Sequence, residues 1–166
     1  LLSEVDKDPI RFMMLNRSND VEIDFDFDKV KEKTKDNPVF YVQYAYARIN
    51  SLLGALNTSL VKKIEINEID FNLNEMEEKI IRKVFEWPKI IESASRKFDL
   101  HKIPFYLYEL STLFHAYWSK GNEDKRYKFI ENQKIKRKEI LAIINLVAIV
   151  IKNGMRILDV SLPKKM

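Results

Sequence analysis

The sequence predicts an all-α fold, and both its composition and its hydrophobic spacing favour that class. The chain of 166 residues has only 3 glycines and 5 prolines, too few for the frequent turns of a small β-sandwich or barrel. Hydrophobic residues make up 46% and charged residues 33%, which is enough apolar material for one packed core and argues against disorder. Apolar side chains recur at helical spacing in several windows. We therefore expect a helical bundle with a short extended or irregular N-terminal stretch.

The N-terminal region is predicted to combine a short helix with an extended segment. Residues 8–16 predict a helix, with Asp8 as its N-cap and Pro9 at its first position. Residues 17–28 then alternate between apolar and acidic side chains, and this period of two indicates an extended stretch with one buried face. Because so many acidic groups repel phosphate, we expect no RNA contact in this segment.

The clearest helix prediction covers residues 37–57. Asn37 is a good N-cap, and Pro38 suits the first helical position. Tyr41, Tyr44 and Arg48 have the spacing i, i+3, i+7 and therefore share one face. The neighbouring apolar stripe consists of Val42, Ala45, Ile49, Leu52, Leu53 and Leu56. On spacing alone, packing at the edge of the core explains the tyrosines as well as ligand binding does.

The rest of the chain predicts further helices. Residues 58–73 have no helical period and indicate a loop with an extended piece. The predicted helices run from Asn74 to Trp87, over 88–98, from Pro104 to Gly121 and over about 135–158. The helix after Asn74 opens with a capping box, because Glu77 follows three residues later. Gly154 lies inside the last helix, which predicts that a neighbouring group approaches the backbone there.

Charge is distributed unevenly along the chain. Residues 1–37 contain 7 basic and 10 acidic side chains, a net charge of −3, whereas residues 38–166 contain 22 and 15, a net charge of +7. Residues 120–138 are predicted to form a loop with 8 Lys and Arg residues, either a solvated surface or part of a polyanion-binding face. The longest apolar run, Ile140–Ile151, is shorter than the roughly 20 residues of a membrane span and predicts a buried helix.

Most kinds of catalytic site are missing from the sequence. It has no cysteine, and its two histidines, His101 and His115, form no metal or catalytic motif and are best explained as structural. A phosphate-binding Gly-rich loop, HExxH and GxSxG are also absent. A basic helical domain with exposed aromatic side chains fits the recognition of single-stranded RNA. The alternative is a helical protein–protein docking module without RNA contact, because Trp, Tyr and Arg also form interface hot spots.

Several stretches of the sequence resemble bacterial arginyl-tRNA synthetases. The string RFMMLNRSNDVEIDFDFDKVKEKTKDNPVFYVQYAYARINSLL resembles the junction that follows their catalytic domain. EWPKIIESA, YLYELSTLFHAYW and the closing IKNGMRILDVSLPKKM resemble their C-terminal, all-helical anticodon-binding domain, also called the DALR domain. The most specific parts are NPVFYVQYAYAR and the terminal Pro-x-x-Met. One departure is Asp159, which replaces a frequent Gly and puts the local backbone in question.

The resemblance implies a division of the chain and a function. Residues 1–36 would be the end of the catalytic domain or a connector, and residues 37–166 the anticodon-binding domain of the class I type. The whole enzyme would attach arginine to its tRNA with ATP and Mg²⁺, but the HIGH and KMSK signatures of that chemistry are missing here. We therefore expect a catalytically inactive piece of a longer, cytoplasmic, monomeric enzyme without its own cofactor. Its expected partners are tRNA for arginine and the catalytic domain, not DNA or membrane.

The resemblance also assigns residues to the anticodon site. These are Tyr41, Tyr44, Ala47, Arg48, Trp118 and Met166, with Lys136, Arg137, Lys138, Lys164 and Lys165 as weaker contacts to the RNA backbone. Ala47 would let a base approach the helix backbone, Trp118 would stack on a base, and Met166 would cover the pocket. The anticodons for arginine share only a cytosine at the middle position. A reader of this tRNA must therefore identify that base through its Watson–Crick edge.

Overall fold

The computed structural model describes residues 6–18, 30–32, 34–56, 72–132 and 134–166. Its helices are α1 (Lys7–Leu15), α2 (Pro38–Ala55), α3 (Glu75–Phe85), α4 (Trp87–Lys97), α5 (Lys102–Glu123) and α6 (Lys138–Ile157). A 3₁₀ turn (Lys125–Tyr127) and a small antiparallel hairpin, β1 (Ile130–Glu131) and β2 (Lys134–Ile135), connect α5 to α6. The all-α prediction is confirmed. Most of the predicted extended stretch 17–28 and of the predicted loop 58–73 lies outside the described residues.

Side-chain caps begin the helices where the sequence predicts them. Asn37 Oδ1 accepts a hydrogen bond from the Phe40 amide at 3.4 Å, at the start of α2. At α3, Asn74 Oδ1 accepts from the Glu77 amide at 3.0 Å while Glu77 Oε2 accepts from the Asn74 amide at 2.9 Å. These contacts satisfy amides that have no partner inside the helix, so the predicted capping box is confirmed.

The N-cap predicted at Asp8 is wrong. α1 begins at Lys7, and Asp6 occupies the N-cap position without a side-chain cap. The carboxylate of Asp8 instead accepts a hydrogen bond from the Ser161 amide at 3.0 Å, and it also binds the Ser161 hydroxyl. Asp8 therefore binds the C-terminal tail instead of capping its own helix. This contact joins α1 to the C-terminal tail.

The core lies where α2, α5 and α6 pack together. Its fully buried side chains include Val42, Ile49, Leu107, Leu110, Phe114, Ile144, Val147 and Ile151. By length and composition, α6 could cross a membrane, but 61% of its apolar window is buried inside the bundle. This burial explains the apolar run as the central helix of the core, as predicted. Gly154 allows the contact with α5, because a Cβ at this position would lie 2.7 Å from Cδ2 of Leu107.

The C-terminus of α6 forms a Schellman motif around Asp159. The amide of Val160 donates to the Met155 carbonyl at 2.9 Å, and the Asp159 amide donates to the Arg156 carbonyl at 3.2 Å. Asp159 has φ 53°, the left-handed conformation that glycine adopts most easily. Its carboxylate lies 3.2 Å from Lys7 Nζ, so the aspartate side chain also contacts α1.

The basic loop predicted over 120–138 is mostly ordered secondary structure. Helix α5 continues to Glu123, and the 3₁₀ turn, the hairpin and the start of α6 occupy the remainder. Gly121 allows the turn to approach closely, because a Cβ at this position would lie 2.9 Å from the Tyr127 carbonyl oxygen. The basic side chains of this region are therefore presented by a folded hairpin packed beside α5.

Candidate nucleic-acid interface

Helices α2 and α5 bring the predicted aromatic and cationic residues together. The ring of His115 on α5 lies 4.3 Å from the ring of Tyr41 and 5.4 Å from that of Tyr44, centroid to centroid. Arg48, one turn after Tyr44, reaches across to Trp118 on α5. Tyr41, Tyr44 and Arg48 thus share the face that their spacing predicts. We call Tyr41, Tyr44, Arg48, His115 and Trp118 the α2–α5 cluster.

Arg48 is the centre of the α2–α5 cluster. Its Cζ lies 4.3 Å from the centroid of the Tyr44 ring and 4.9 Å from that of the Trp118 ring, both within cation–π range. Its Nη2 donates a hydrogen bond to the Tyr44 hydroxyl at 2.6 Å. Within the described ranges Arg48 has no carboxylate partner.

His115 is the buried member of the cluster and contacts both Arg48 and Tyr41. Only 5% of its surface is exposed, and both ring nitrogens have partners: Nδ1 lies 3.1 Å from Arg48 Nη1, and Nε2 lies 3.1 Å from the Tyr41 carbonyl oxygen. Burial, the largest cause, and the Arg48 charge together lower the pKa of His115 to about 4, although the hydrogen bond to Tyr41 acts in the opposite direction. The imidazole is therefore neutral at physiological pH.

Tyr41 contributes to the cluster mainly through its ring. The ring packs between those of His115 and Tyr108, whose centroid lies 5.4 Å away. Burial raises the pKa of Tyr41, and the neighbouring Tyr108 acts in the same direction. Its phenol therefore stays protonated at any physiological pH and remains a hydrogen-bond donor.

Trp118 is more deeply placed than its position in the sequence suggests. The sequence predicts that its helix ends at Gly121, whereas α5 continues to Glu123, five residues beyond Trp118. Its indole is partly buried against Phe114 and meets Phe129 edge-on, with centroids 5.5 Å apart. Next to the indole is a cavity of about 190 Å³, which is also lined by Leu52, Gly121, Asn122, Lys128, Phe129 and Ile130. Trp118 therefore combines a structural role with an accessible surface.

Ala47 and the C-terminal residues differ in accessibility. Ala47 is 3% exposed, so it offers almost no surface to a base in this structure. Met166 is 54% exposed, and Lys164 and Lys165 are also exposed. The tail that carries them is held against α2, because Gln43 Nε2 donates to the Ser161 carbonyl at 3.0 Å. The exposed tail lysines thus follow a residue that is anchored to α2, whereas Ala47 belongs to the core.

The three basic residues before α6 have different surroundings. Lys136 is exposed, and its Nζ donates to the Lys125 carbonyl at 3.0 Å. Lys138 is exposed at the start of α6. Arg137 instead turns inward, donating to the Asn72 carbonyl at 3.0 Å and forming an ion pair with Glu77. The sequence predicts that all three contact RNA phosphate; of the three, Arg137 also has a structural role, because its guanidinium neutralises a buried carboxylate.

Glu77 links three parts of the bundle. It is fully buried, caps α3 through Asn74, and accepts a hydrogen bond from the Tyr117 hydroxyl at 2.5 Å through the oxygen that also binds Arg137. Burial and the Glu77 charge both raise the pKa of Tyr117, which keeps its hydroxyl a donor. The network fixes α3, α5 and the start of α6 relative to one another.

His115 is the cluster residue that sequence reasoning assigned to a purely structural role. Its spacing indicates that it lies beside the candidate site: His115 precedes Trp118 by three residues and therefore lies on the same face of α5. What the sequence does not show is that Arg48, on another helix, uses the imidazole as a hydrogen-bond acceptor.

Comparisons with known proteins identify the family. The model of the DALR anticodon binding domain matches residues 42–166. The chain is 50% identical to the arginine–tRNA ligase of Pelagibacter ubique and 38% identical to that of Rhizobium meliloti, in each case over its full length. It covers 29% of each relative and so spans under a third of their length.

A comparison of folds agrees with the sequence comparison. A solved structure assigned as an arginyl-tRNA synthetase from Campylobacter jejuni superposes with a TM-score of 0.83 at 24% identity, over 99% of this chain and 34% of that one. This likeness establishes the same helical architecture. Because the family model covers most of the sequence and the fold agrees with it, the chain belongs to the DALR anticodon-binding domain family.

Proposed function

We propose that the chain binds the anticodon loop of tRNA for arginine, as the anticodon-binding part of an arginine–tRNA ligase. The observation that carries the proposal is the guanidinium of Arg48, which lies between the rings of Tyr44 and Trp118 with no carboxylate partner in the described part of the chain. Unpaired RNA bases bind to aromatic faces, and nearby cations hold the backbone. The protein–protein docking alternative has no comparable support, since the relatives are tRNA ligases.

The donors of the cluster favour cytosine over uracil. Arg48 has only N–H donors, and the Tyr44 hydroxyl accepts one of them, so the phenolic proton remains available for a ligand. Cytosine has two adjacent acceptors, O2 and N3, whereas N3 of uracil carries a proton. Two neighbouring donors therefore match the Watson–Crick edge of cytosine and oppose that of uracil. This base is the one that all arginine anticodons share at their middle position.

The remaining assignments follow from membership of the longer enzyme. Residues 37–166 would recognise the tRNA, and residues 1–36 would connect them to a catalytic domain that supplies ATP and Mg²⁺ chemistry, in a monomeric cytoplasmic enzyme. Lys136, Lys138, Lys164 and Lys165 would contact phosphates, with Met166 beside the loop. Ala47 would contribute indirectly, since its small buried side chain lets α2 pack closely.

The test is the binding of anticodon stem-loops that carry cytosine or uracil at the middle position. We expect the wild type to prefer cytosine, and Tyr44→Phe to reduce that preference while affinity for both loops stays within a few-fold, because only the hydroxyl is removed. The logarithm of the binding constant should fall linearly with the logarithm of the salt concentration, with a slope of about −0.7 per phosphate neutralised. A wild-type chain with no base preference, or with an affinity that does not depend on salt, would contradict the proposal. The chain alone should also show no arginine-dependent ATP–pyrophosphate exchange.

A further inference from the structure

We propose that His115 is a positioning residue, which fixes the Arg48 guanidinium in the one orientation that distinguishes cytosine from uracil. The inference rests on the proposed function, since it concerns the same α2–α5 cluster. It adds a residue that is buried and contacts no RNA itself. Its effect is transmitted through the hydrogen bond between Nδ1 and Arg48 Nη1, at 3.1 Å.

The two contacts of the imidazole assign its tautomer. Arginine carries N–H donors and no acceptor, so Nδ1 of His115 must present a lone pair to Arg48. The Tyr41 carbonyl oxygen can only accept, so Nε2 must carry the proton. Neutral histidine protonated at Nε2 satisfies both contacts. The other neutral tautomer would turn an N–H towards the guanidinium and a lone pair towards the carbonyl, losing both bonds.

Burial makes this arrangement rigid. His115 is 5% exposed and is surrounded by the rings of Tyr41, Tyr44 and Phe114, with centroids between 4.3 and 5.7 Å away. The bond from Nε2 to the Tyr41 carbonyl ties the ring to the backbone of α2, the helix that also carries Arg48. The acceptor that faces Arg48 therefore has a fixed position relative to the helix from which that arginine extends.

The remaining contacts of Arg48 do not fix its orientation alone. Stacking on Tyr44 and Trp118 restrains the plane of the guanidinium but allows it to rotate within that plane. The bond from Nη2 to the Tyr44 hydroxyl involves a group that must also serve the ligand. With the acceptor at Nδ1, one edge of the guanidinium is bound to protein, and its other N–H groups point in defined directions. Without the acceptor at Nδ1, the Arg48 donors that face a base lose their fixed geometry.

Two substitutions distinguish the contributions of the two ring nitrogens of His115. Asparagine places an amide oxygen near the position of Nδ1 and can still accept from Arg48, whereas glutamine extends to the position of Nε2 and keeps only the donor to Tyr41. Both variants are neutral and remove the ring, so their packing losses are similar. We expect His115→Asn to retain most of the preference for cytosine. We expect His115→Gln to reduce the ratio of the two affinities about tenfold, the usual value of one hydrogen bond to a charged group.

Three measurements complete the test. Thermal unfolding shows whether the two variants are equally folded. In an Arg48→Lys background, His115→Gln should change the preference no further, because the fork geometry that it supports is already gone. The ¹⁵N shifts of the wild-type imidazole should show protonated Nε2 and unprotonated Nδ1, a readout that needs no RNA.

The outcomes separate this proposal from the proposed function. If the wild type does not distinguish the two stem-loops, the proposed function fails, and the positioning role fails with it. If the wild type prefers cytosine but His115→Asn and His115→Gln affect that preference equally, or if Nδ1 carries the proton, only the positioning role is overturned. A graded result, with asparagine close to wild type and glutamine impaired at equal stability, supports it.

Discussion

The guanidinium of Arg137 forms an ion pair with the carboxylate of Glu77, a side chain that has no solvent exposure. The partners are 60 residues apart in sequence and join the segment before α6 to the first turn of α3. A carboxylate can be buried at this depth because Arg137, Tyr117 and the Asn74 amide all donate to it. Arg137 therefore serves the stability of the domain, although its neighbours in sequence are surface lysines.

Replacing Arg137 should destabilise the fold. Arg137→Met keeps much of the side-chain volume but leaves Glu77 without its cation, and we expect the free energy of unfolding to fall by about 1–3 kcal/mol. Lys136→Met is the matched control, because Lys136 is exposed, and it should change stability by less than about 0.5 kcal/mol. Urea unfolding of both variants measures the difference. Equal stability of the two variants would show that the ion pair contributes nothing.

Substitution of Trp118 should affect both binding and stability. Trp118→Ala removes a stacking surface, which is worth about 1–3 kcal/mol of affinity for single-stranded RNA. It also removes packing against Phe114 and Phe129, so the free energy of unfolding should fall as well. Phe129→Leu should lower stability without the full loss of binding, and Trp118→Tyr should keep most of the affinity. If both changes at Trp118 reduce affinity only as far as Phe129→Leu does, the ring acts through packing alone.

Protonation of His115 should make the fold sensitive to mild acid. The folded chain binds this proton with a pKa of about 4 and the unfolded chain with the ordinary value of 6.5, so between these values the unfolded state holds more protons. The free energy of unfolding should therefore fall as the pH drops from about 6.5 towards 4, with a slope approaching 1.4 kcal/mol per pH unit. Arg48, the charged group that faces the imidazole in the described residues, acts in the same direction.

The comparison of two histidine variants isolates this effect. Unfolding free energies at pH 7, 6 and 5 should fall less steeply for His115→Asn than for the wild type. His101→Asn, which removes the other histidine, should keep the wild-type slope. Carboxylates with lowered pKa values, such as those of Asp124 and Asp99, titrate below the interval from pH 5 to 7. Parallel slopes for all three proteins would refute a buried neutral imidazole.

Two of the helical glycines, Gly54 and Gly154, provide a matched pair of substitutions. Gly154→Ala should destabilise the fold, because the new Cβ would lie 2.7 Å from Cδ2 of Leu107 and would force α5 and α6 apart. Gly54→Ala meets nothing within 4 Å and should stabilise the fold by about 0.5–1 kcal/mol, the usual helix preference of alanine. Denaturant unfolding compares the two, and opposite signs are expected. Similar gains in both variants would show that α5 and α6 can separate without cost.

Local features of the fold could be read from the sequence, whereas long-range partners could not. The caps at Asn37 and Asn74 depend on residues two to three positions away and were predicted. The shared face of Tyr41, Tyr44 and Arg48 follows from helical spacing alone. By contrast, the acceptor for Arg48 lies 67 residues along the chain, and the carboxylate that binds Arg137 lies 60 residues away. Spacing cannot distinguish a cation that faces solvent from one that neutralises a buried group.

The contacts between α1 and the C-terminal tail have a consequence for the order of folding during synthesis. Asp8 binds the Ser161 amide and Lys7 pairs with Asp159, across separations of 153 and 152 residues. A ribosome completes α1 long before it adds either partner, so the helix lacks both contacts while the rest of the chain is made, although it can already pack on α2. These contacts therefore close the domain only after the final helix has left the exit tunnel. A chain truncated before residue 159 would lack both contacts and the buried side chain of Val160, so its first helix would be incompletely secured.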